Sequence, residues 1–150
     1  SSKYGKTKLL AEKYIEKKLN KTNIKFCIGR IFSIIDNKGE QFLLNGLLNK
    51  IKKKEKIIIL KNLNHYRDFL TTEQISKIIL MLWKRKITGM INIGSGIKTN
   101  LQSIAKIFAI KAKKKLIFKF NKPTYLVANI SKLKKIGFKP KKLNFVRFFY

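Results

Sequence analysis

Hydrophobic positions recur along this chain with two alternating periods, one near 3.6 residues and one typical of β-strands. The helical period predicts helices over residues 6–19 and near residues 40–53. It also predicts helices after residue 71, after residue 99 and over residues 131–136. An apolar, β-branched run over residues 24–35 predicts a strand that is covered on both faces. Shorter apolar runs at 57–60, 66–70, 90–93 and 116–120 predict further strands.

Local signals mark where several of these helices begin and end. Thr71 and Gln74 fit a capping box, and Thr99 with Gln102 repeats the same spacing. Gly137, with Pro140 beyond it, ends the last helix. Strands that alternate with helices through short connections predict an α/β architecture with a largely parallel sheet. We expect one compact unit, with pieces of a smaller lobe around residues 36–66 and 110–150.

The chain is strongly basic, but this charge alone does not identify its binding partner. The 150 residues hold 36 Lys and Arg against 7 Asp and Glu, a formal net charge of +29. Such a charge suggests a polyanion, either nucleic acid or an anionic membrane. Only four of the basic residues are arginine, the residue that phosphate-reading proteins favour. The excess of Lys, Ile and Asn is typical of translation from an A+T-rich gene, so the charge alone is ambiguous.

Several classes of chemistry are disfavoured by composition. One Cys (Cys27) and one His (His65) give no metal-ligand spacing and disfavour Ser-His-Asp or Cys-His catalysis, so no metal site is expected. We expect Cys27 to be inert packing and His65 to be solvated. The apolar runs are too short for a membrane span, and no secretory leader opens the chain, so we expect no membrane partner and a cytoplasmic location.

Tyr4 and Lys8 form the first candidate for catalysis. Residues four apart on a helix project from one face, so the Lys8 ammonium would lie near the Tyr4 phenol. A nearby ammonium stabilises a phenolate, which makes a tyrosine a usable acid and base. Alternatively, Tyr4 and Lys8 are one apolar and one solvated helix residue, because this spacing occurs often by chance in a lysine-rich chain.

Five segments of the chain, the first of them around this pair, form an ordered series of motifs. They are residues 4–12 (YGKTKLLAE), 29–33 (GRIFS), 66–75 (YRDFLTTEQI), 90–96 (MINIGSG) with 99–101, and 131–140 (SKLKKIGFKP). Together they resemble the extended short-chain dehydrogenases/reductases that act on nucleotide sugars, the NAD-dependent epimerase/dehydratase family. The resemblance begins with the active-site helix and extends in order over nearly the whole chain.

The resemblance implies a role for each matching residue. Tyr4 would be the catalytic acid and base, and Lys8 would hold the nicotinamide ribose and support Tyr4. Phe32 would lie near the cofactor and Ser33 near the sugar, with Ser33 replacing the usual Asn. Arg67 would bind the diphosphate of the nucleotide sugar, unless it pairs with Asp68 or Glu73 instead. The turn of Gly94 and Gly96 could also cradle a phosphate, although a strand-to-helix turn explains both glycines without a ligand.

The resemblance covers only the C-terminal half of a family member. It implies the C-terminal part of a Rossmann-like parallel sheet with a small α+β substrate-binding lobe, without the Gly-rich dinucleotide-binding half. We therefore expect residues 1–150 to be a single incomplete unit, either a fragment or the product of a truncated gene. The full-length parent would use NAD or NADP, and this chain alone would bind neither tightly nor turn over substrate.

Two other functions remain open from the sequence. A lysine-rich nucleic-acid-binding module is supported by aromatic residues interleaved with lysines near the C-terminus, but no nucleic-acid-binding motif accompanies them. A non-catalytic remnant that associates with a partner subunit is the third hypothesis. Family members commonly dimerise through the active-site helix, which leaves a homodimer open. The sequence does not choose among epimerase, dehydratase and reductase, nor does it name the sugar.

Overall fold

The computed structural model describes residues 2–36, 43–61, 63–119 and 121–149. Its α-helices are α1 (Lys3–Leu19), α2 (Leu43–Ile51), α3 (Thr72–Lys84), α4 (Leu101–Lys111) and α5 (Ser131–Lys135), and a 3₁₀ helix follows at Phe145–Phe148. The strands are β1 (Cys27–Ile31), β2 (Ser33–Ile35), β3 (Ile57–Leu60), β4 (His65–Arg67), β5 (Phe69–Thr71), β6 (Gly89–Ile93), β7 (Thr99–Asn100), β8 (Lys115–Phe118) and β9 (Thr124–Leu126).

Parallel pairing dominates the described strands, which confirms the α/β prediction. β1 pairs with β6, β2 with β5, β3 with β8 and β4 with β9, all in parallel. β7 adds to β4 in the antiparallel sense. Parallel pairs need long crossover connections, and the helices between the strands supply them.

Helix starts follow the capping chemistry of the sequence, with one shift. The Thr71 hydroxyl accepts from the Gln74 amide, and the Gln74 side chain accepts from the Thr71 amide, so the capping box is confirmed. The cap of α4 is Asn100 rather than Thr99, because the Asn100 side chain accepts from the amides of Gln102 and Ser103. Thr99 is instead part of the short strand β7.

Two apolar clusters hold the described chain together. The α2–α4 core packs α2 and α4 against β3 and the 3₁₀ helix, with Leu44, Ile51, Ile104 and Phe108 fully buried. The α3 core packs α3 against β5 and β6, and it includes Ile78, Ile93 and Leu133. Among the described residues, no helix is long and apolar enough to cross a membrane.

The structure differs from the pattern at several points. The run over 24–35 forms two strands, β1 and β2, interrupted at Phe32, where the chain passes from pairing with β6 to pairing with β5. The expectation that this run is covered on both faces is wrong for β1, in which every residue except Ile28 is exposed. Asp68 likewise interrupts the predicted strand at 66–70. The strand β9 and the 3₁₀ helix were not predicted, and residues 40–42 of the second predicted helix lie outside the described residues.

Candidate substrate and cofactor site

Tyr4 and Lys8 lie on one face of α1, close to its first turn. The Lys8 ammonium is 5.4 Å from the centroid of the Tyr4 ring, which is cation–π distance. The Ser2 hydroxyl accepts from the Gly5 amide at 3.1 Å and caps the helix at this end. The Tyr4 residue is 73% exposed, so its phenol is open to a ligand.

A bidentate ion pair joins α1 to the sheet. The Arg30 guanidinium donates from Nη2 to Glu12 Oε2 at 2.6 Å and from Nε to Glu12 Oε1 at 3.0 Å. The hydrogen bond from Arg30 and its positive charge hold the pKa of the Glu12 carboxyl below its usual range. The same bond raises the pKa of Arg30, so both groups are charged at neutral pH.

Phe32 and Ser33 lie where two parallel strand pairs meet. The Phe32 amide donates to the Ile93 carbonyl at 3.0 Å, and the Ser33 amide donates to the Asp68 carbonyl at 3.0 Å. Both residues follow the carboxyl end of β1, and both are partly buried. Ligands of open α/β sheets bind at the carboxyl ends of the strands, so this position is suited to a site.

The Asp68 carboxylate connects several chain segments at this edge of the sheet, and the sequence did not predict this role. It is fully buried and accepts four hydrogen bonds. Oδ1 accepts from the Ser95 amide and hydroxyl, both at 2.6 Å. Oδ2 accepts from the amides of Gly96 at 2.8 Å and Ala128 at 3.0 Å. One side chain thereby fixes the turn after β6 and the segment after β9 beside β4.

The same carboxylate occupies the turn considered above as a phosphate cradle. The Ser95 and Gly96 amides that could bind a phosphate already donate to Asp68. A Cβ on Gly94 would lie 2.7 Å from Asp68 Oδ2 and 2.5 Å from the Ala128 Cβ, so a side chain does not fit there. Gly94 therefore serves close packing around Asp68, while Gly96 has a positive φ of 69° and closely approaches Ile130. Both glycines are explained without a ligand, as the alternative expected.

Arg67, next in the chain to Asp68, extends from β4 towards β9. Its Nη1 donates to the Tyr66 carbonyl at 3.0 Å and to the Thr124 hydroxyl at 3.2 Å. The alternative, in which Arg67 pairs with Asp68 or Glu73, is wrong. The carboxylate of Asp68 binds backbone amides and the Ser95 hydroxyl, and Glu73 pairs with Lys77. The Thr124 hydroxyl also lies 2.6 Å from His65 Nδ1. His65 is thus a half-buried strand residue, not the solvated turn residue expected.

Two further features near this region carry no obvious sequence signal. The rings of Tyr66 and Tyr125 stack with centroids 4.8 Å apart, and the Lys98 ammonium is 4.4 Å from each. A cavity of about 880 Å³ opens between α2 and β3, and its lining includes Leu47, Ile59 and several lysines. Strand pairing between residues 59 apart in the chain aligns Tyr66 with Tyr125, so no local pattern predicts the stack.

Cys27 lies at the start of β1 and is exposed, so it is not the core packing residue that the sequence suggests. Partial burial of the thiol nevertheless raises its pKa, and the charge of Lys132 opposes this only in part. A thiol with a raised pKa is a weaker nucleophile at neutral pH. Among the described residues, no group of three or more His, Cys, Asp or Glu side chains could hold a metal ion.

Comparisons with known proteins show which class of protein has this sequence and this arrangement of parallel strands. The family model described as "NAD dependent epimerase/dehydratase family" matches residues 1–94. A putative UDP-glucose 4-epimerase of Methanocaldococcus jannaschii is 30% identical over 112 residues, which are 71% of this chain and 36% of that protein.

Solved structures show the same fold over nearly the whole chain. The GDP-mannoheptose C4 reductase of Campylobacter jejuni, solved with NADP bound, has a TM-score of 0.82 at 16% identity and covers 98% of this chain and 55% of its own. The UDP-N-acetylglucosamine 4-epimerase of Methanobrevibacter ruminantium has a TM-score of 0.71 at 20% identity, covering 92% of this chain and 48% of its own.

The fold is therefore that of the Rossmann-type enzymes that modify nucleotide sugars. The chain belongs to the NAD-dependent epimerase/dehydratase family. It spans about half the length of the solved relatives that it matches, and about a third of the Methanocaldococcus protein.

Proposed function

We propose that this chain provides the substrate side of a nucleotide-sugar epimerase, dehydratase or reductase that works with NAD or NADP. The observation that carries the proposal is the pair of Tyr4 and Lys8 on one exposed helix face, in a chain of this family. The nicotinamide cofactor would accept and return the hydride. Tyr4 would move the proton at the sugar hydroxyl or carbonyl, and Lys8 would stabilise the phenolate and hold the nicotinamide ribose.

The position of α1 supports this assignment. A helix that leads through a short connection into a parallel strand runs antiparallel to that strand. Starting from the contact of Glu12 with Arg30, Tyr4 is eight residues back along the helix, about 12 Å. Ser33 is three residues on from Arg30, about 10 Å along the strand direction. In this orientation, Tyr4 and Ser33 lie at the same end of β1, where Phe32 would contact the nicotinamide and Ser33 the sugar.

Arg67 would bind the diphosphate of the nucleotide sugar. Its bonds to the Tyr66 carbonyl and to Thr124 use Nη1, which leaves other donors of the guanidinium fork for an anion. Asp68 fixes the backbone immediately beside it, so the guanidinium starts from a rigid strand. The cleft between α2 and β3 would accommodate further parts of the nucleotide sugar.

The cofactor fits these residues only in part. Tyr4 and Lys8 suit the nicotinamide ribose, but the Gly-rich turn that binds the pyrophosphate is not among these 150 residues. We therefore propose that the chain alone neither binds NAD(P) tightly nor turns over substrate. A homodimer through α1 and a cytoplasmic location are further parts of the proposal that follow the family.

Calorimetry on the 150-residue chain tests the proposal directly. We expect no measurable heat with NAD or NADP, and weak binding of UDP, GDP or dTDP. Arg67→Ala should weaken nucleoside diphosphate binding about tenfold or more, since hydrogen bonds to charged groups contribute about 1.5–3 kcal/mol. Arg85→Ala, an exposed arginine at the end of α3, is the matched control. Tight NAD(P) binding, or equal effects of the two substitutions, would contradict the proposal.

The two alternatives predict different results in the same solutions. A nucleic-acid-binding module should bind DNA with an affinity that falls steeply as salt rises, because phosphate contacts release counterions. Negligible DNA affinity at low salt would eliminate that alternative. A non-catalytic remnant should fail to bind any nucleoside diphosphate, with or without Arg67.

A further inference from the structure

Arg67 belongs to a short network of side chains on one face of the β4–β9 ladder. His65 and Arg67 are two residues apart on β4, so their side chains project from the same face of that strand. Thr124 of β9 pairs directly with His65 in the parallel ladder. Its hydroxyl lies 3.2 Å from Arg67 Nη1 and 2.6 Å from His65 Nδ1, so it bridges the two side chains of β4.

Both N–H groups of Arg67 Nη1 are used inside the protein. One donates to the Tyr66 carbonyl at 3.0 Å and the other to the Thr124 hydroxyl at 3.2 Å. A guanidinium is planar, so the donors of Nε and Nη2 remain along one edge of it. Such an edge can bind a phosphate through a bidentate pair of hydrogen bonds. Holding Nη1 therefore gives the remaining donors of a long side chain one orientation.

Two asparagines fix the backbone that carries Thr124. The Asn64 amide donates to Asn121 Oδ1 at 3.2 Å, and Asn64 Nδ2 donates to the Asn121 carbonyl at 3.1 Å. The Thr124 amide donates to the Asn64 carbonyl at 3.2 Å. These bonds join the two segments that precede β4 and β9. The register that sets Thr124 opposite His65 therefore has support that does not involve the Thr124 hydroxyl.

We infer that Thr124 and His65 are positioning residues for the diphosphate of the nucleotide sugar. A guanidinium can only donate, so the Thr124 hydroxyl accepts from Arg67 and gives its single proton to His65 Nδ1. The neutral imidazole then carries its own proton on Nε2. In this direction His65 orients the hydroxyl, and the hydroxyl orients Arg67. The inference rests on the proposed function, and it adds the residues that set the geometry of the diphosphate site.

Binding of UDP to the 150-residue chain tests the role of the hydroxyl. Thr124→Val keeps the shape of the side chain without the hydroxyl, and it should weaken UDP binding about three- to tenfold, the usual contribution of one hydrogen bond. Thr124→Ser keeps the hydroxyl and should bind UDP as the parent does. Thr99→Val is the matched control, because this described residue pairs with Arg67 from β7 without a hydrogen bond to its guanidinium. It should leave UDP binding unchanged.

A double-mutant cycle separates positioning from a general structural effect. If the hydroxyl acts through Arg67, Thr124→Val should have no further effect on UDP binding in an Arg67→Ala background. If Thr124 contacted the ligand itself or only stabilised the fold, its effect would persist without Arg67. NMR titration measures these weak affinities, and an effect of the same size in both backgrounds would overturn the inference.

An isosteric pair of substitutions tests His65. His65→Asn keeps an acceptor, the amide oxygen, close to the position of Nδ1, whereas His65→Leu has nearly the shape of asparagine and no acceptor. UDP binding should be close to that of the parent in the first variant. In the second it should fall to the level of Thr124→Val. Equal UDP affinities in the two variants would show that His65 has no positioning role.

The network also has a spectroscopic signature that needs no ligand. His65 is the only histidine in the sequence, so its ring nitrogens give one set of signals in a long-range proton–nitrogen correlation spectrum. At pH 8, where an ordinary imidazole is neutral, we expect the proton on Nε2 and an Nδ1 resonance shifted by the hydrogen bond that it accepts. Thr124→Ser should keep that shift and Thr124→Val should lose it. A neutral ring with its proton on Nδ1 would contradict the inferred direction.

These measurements distinguish a failure of this inference from a failure of the proposed function. If the parent chain binds no UDP, or if Arg67→Ala binds UDP as tightly as the parent, the proposed function and this inference are both wrong. If Arg67→Ala weakens UDP binding while Thr124→Val and His65→Leu do not, only the inference is wrong.

Discussion

Helices α1 and α4 each carry apolar side chains along one side, but they have very different surroundings. In α4, five of eleven residues are buried, among them Ile104 and Phe108. In α1, none of seventeen residues is buried, although Leu10, Tyr14 and Ile15 mark an apolar side. An apolar stripe shows only that a helix is made to be covered. In α4 this chain supplies the cover, whereas in α1 the bidentate pair of Glu12 and Arg30 is the tie to the sheet that the structure shows.

The same contrast separates the strands. β3 buries Ile58 and Leu60 against the α2–α4 core, while β1 leaves Ile31 and Cys27 exposed beside an open groove. The chain thus consists of a region that completes its own core and a region, α1 with β1, whose apolar surface is uncovered. The candidate catalytic pair Tyr4 and Lys8 belongs to the uncovered region. Arg67 lies in the strand β4, which contacts α4 in the region that completes its own core.

The largest expected effect comes from truncating an aromatic side chain in each helix. Phe108→Ala removes a fully buried ring from α4 and should lower the free energy of unfolding by about 3–5 kcal/mol. Tyr14→Ala removes a ring that is 63% exposed on α1. It should change that free energy by no more than about 0.5 kcal/mol. Urea denaturation measures both, and equal losses would show that α1 is as well packed as α4.

Asp68 gives the next largest effect, and it tests how the turn after β6 and the segment after β9 are held together in the covered part of the molecule. Asp68→Asn keeps the shape but turns one acceptor into a donor facing amides that must donate, which should cost about 2–3 kcal/mol. Glu55→Ala, on an exposed acidic residue, is the control and should be nearly neutral. Thermal unfolding measures the loss. A neutral Asp68→Asn would show that the turn at Ser95 does not depend on this carboxylate.

The elements that follow local rules could be predicted from the sequence, and those that depend on distant partners could not. Thr71 and Gln74 are three residues apart, and this spacing alone predicts the capping box that the structure shows. Asp68, by contrast, follows Arg67 in the chain, and from the sequence it could be read as the partner of an ion pair. Its carboxylate instead accepts hydrogen bonds from residues that are 27, 28 and 60 positions away. β1 has the apolar composition of a buried strand, and only the neighbours in space decide that it is exposed.

The candidate site shows the same division. The spacing of Tyr4 and Lys8 predicts their common face, and the structure has them on it. The contacts of Arg67 with Thr124, and of Thr124 with His65, depend on the pairing of β4 with β9. The hydrophobic pattern of the sequence did not predict β9. Their roles in catalysis and binding remain predictions.

A pair of helix caps gives a smaller effect that sharpens the comparison. Thr71→Ala removes the cap of α3, whose stripe is buried, and should lower the free energy of unfolding by about 1 kcal/mol. Ser2→Ala removes the equivalent hydroxyl from α1. Because α1 has no buried residue, its first turn should fray without a change in global stability. Amide hydrogen exchange locates the fraying, and a global loss from Ser2→Ala would contradict an uncovered α1.

The smallest expected effect is the response of α1 to acid. Arg30 holds the pKa of Glu12 below the ordinary value of 4.5. Since the pKa is lowered by folding, the stabilisation is present above pH 4.5 and is lost as the pH falls through the lowered value. The pair is partly exposed, so its contribution should be below about 1 kcal/mol. Amide chemical shifts of α1 and β1, followed from pH 6 to 3, should therefore move together as α1 loosens from the sheet. Glu12→Gln should abolish that joint transition, whereas Glu73→Gln, which removes an ion pair within α3, should leave it intact. A transition that survives Glu12→Gln would mean that contacts other than this ion pair hold α1, and the contrast with α4 would then be smaller than the buried residues indicate.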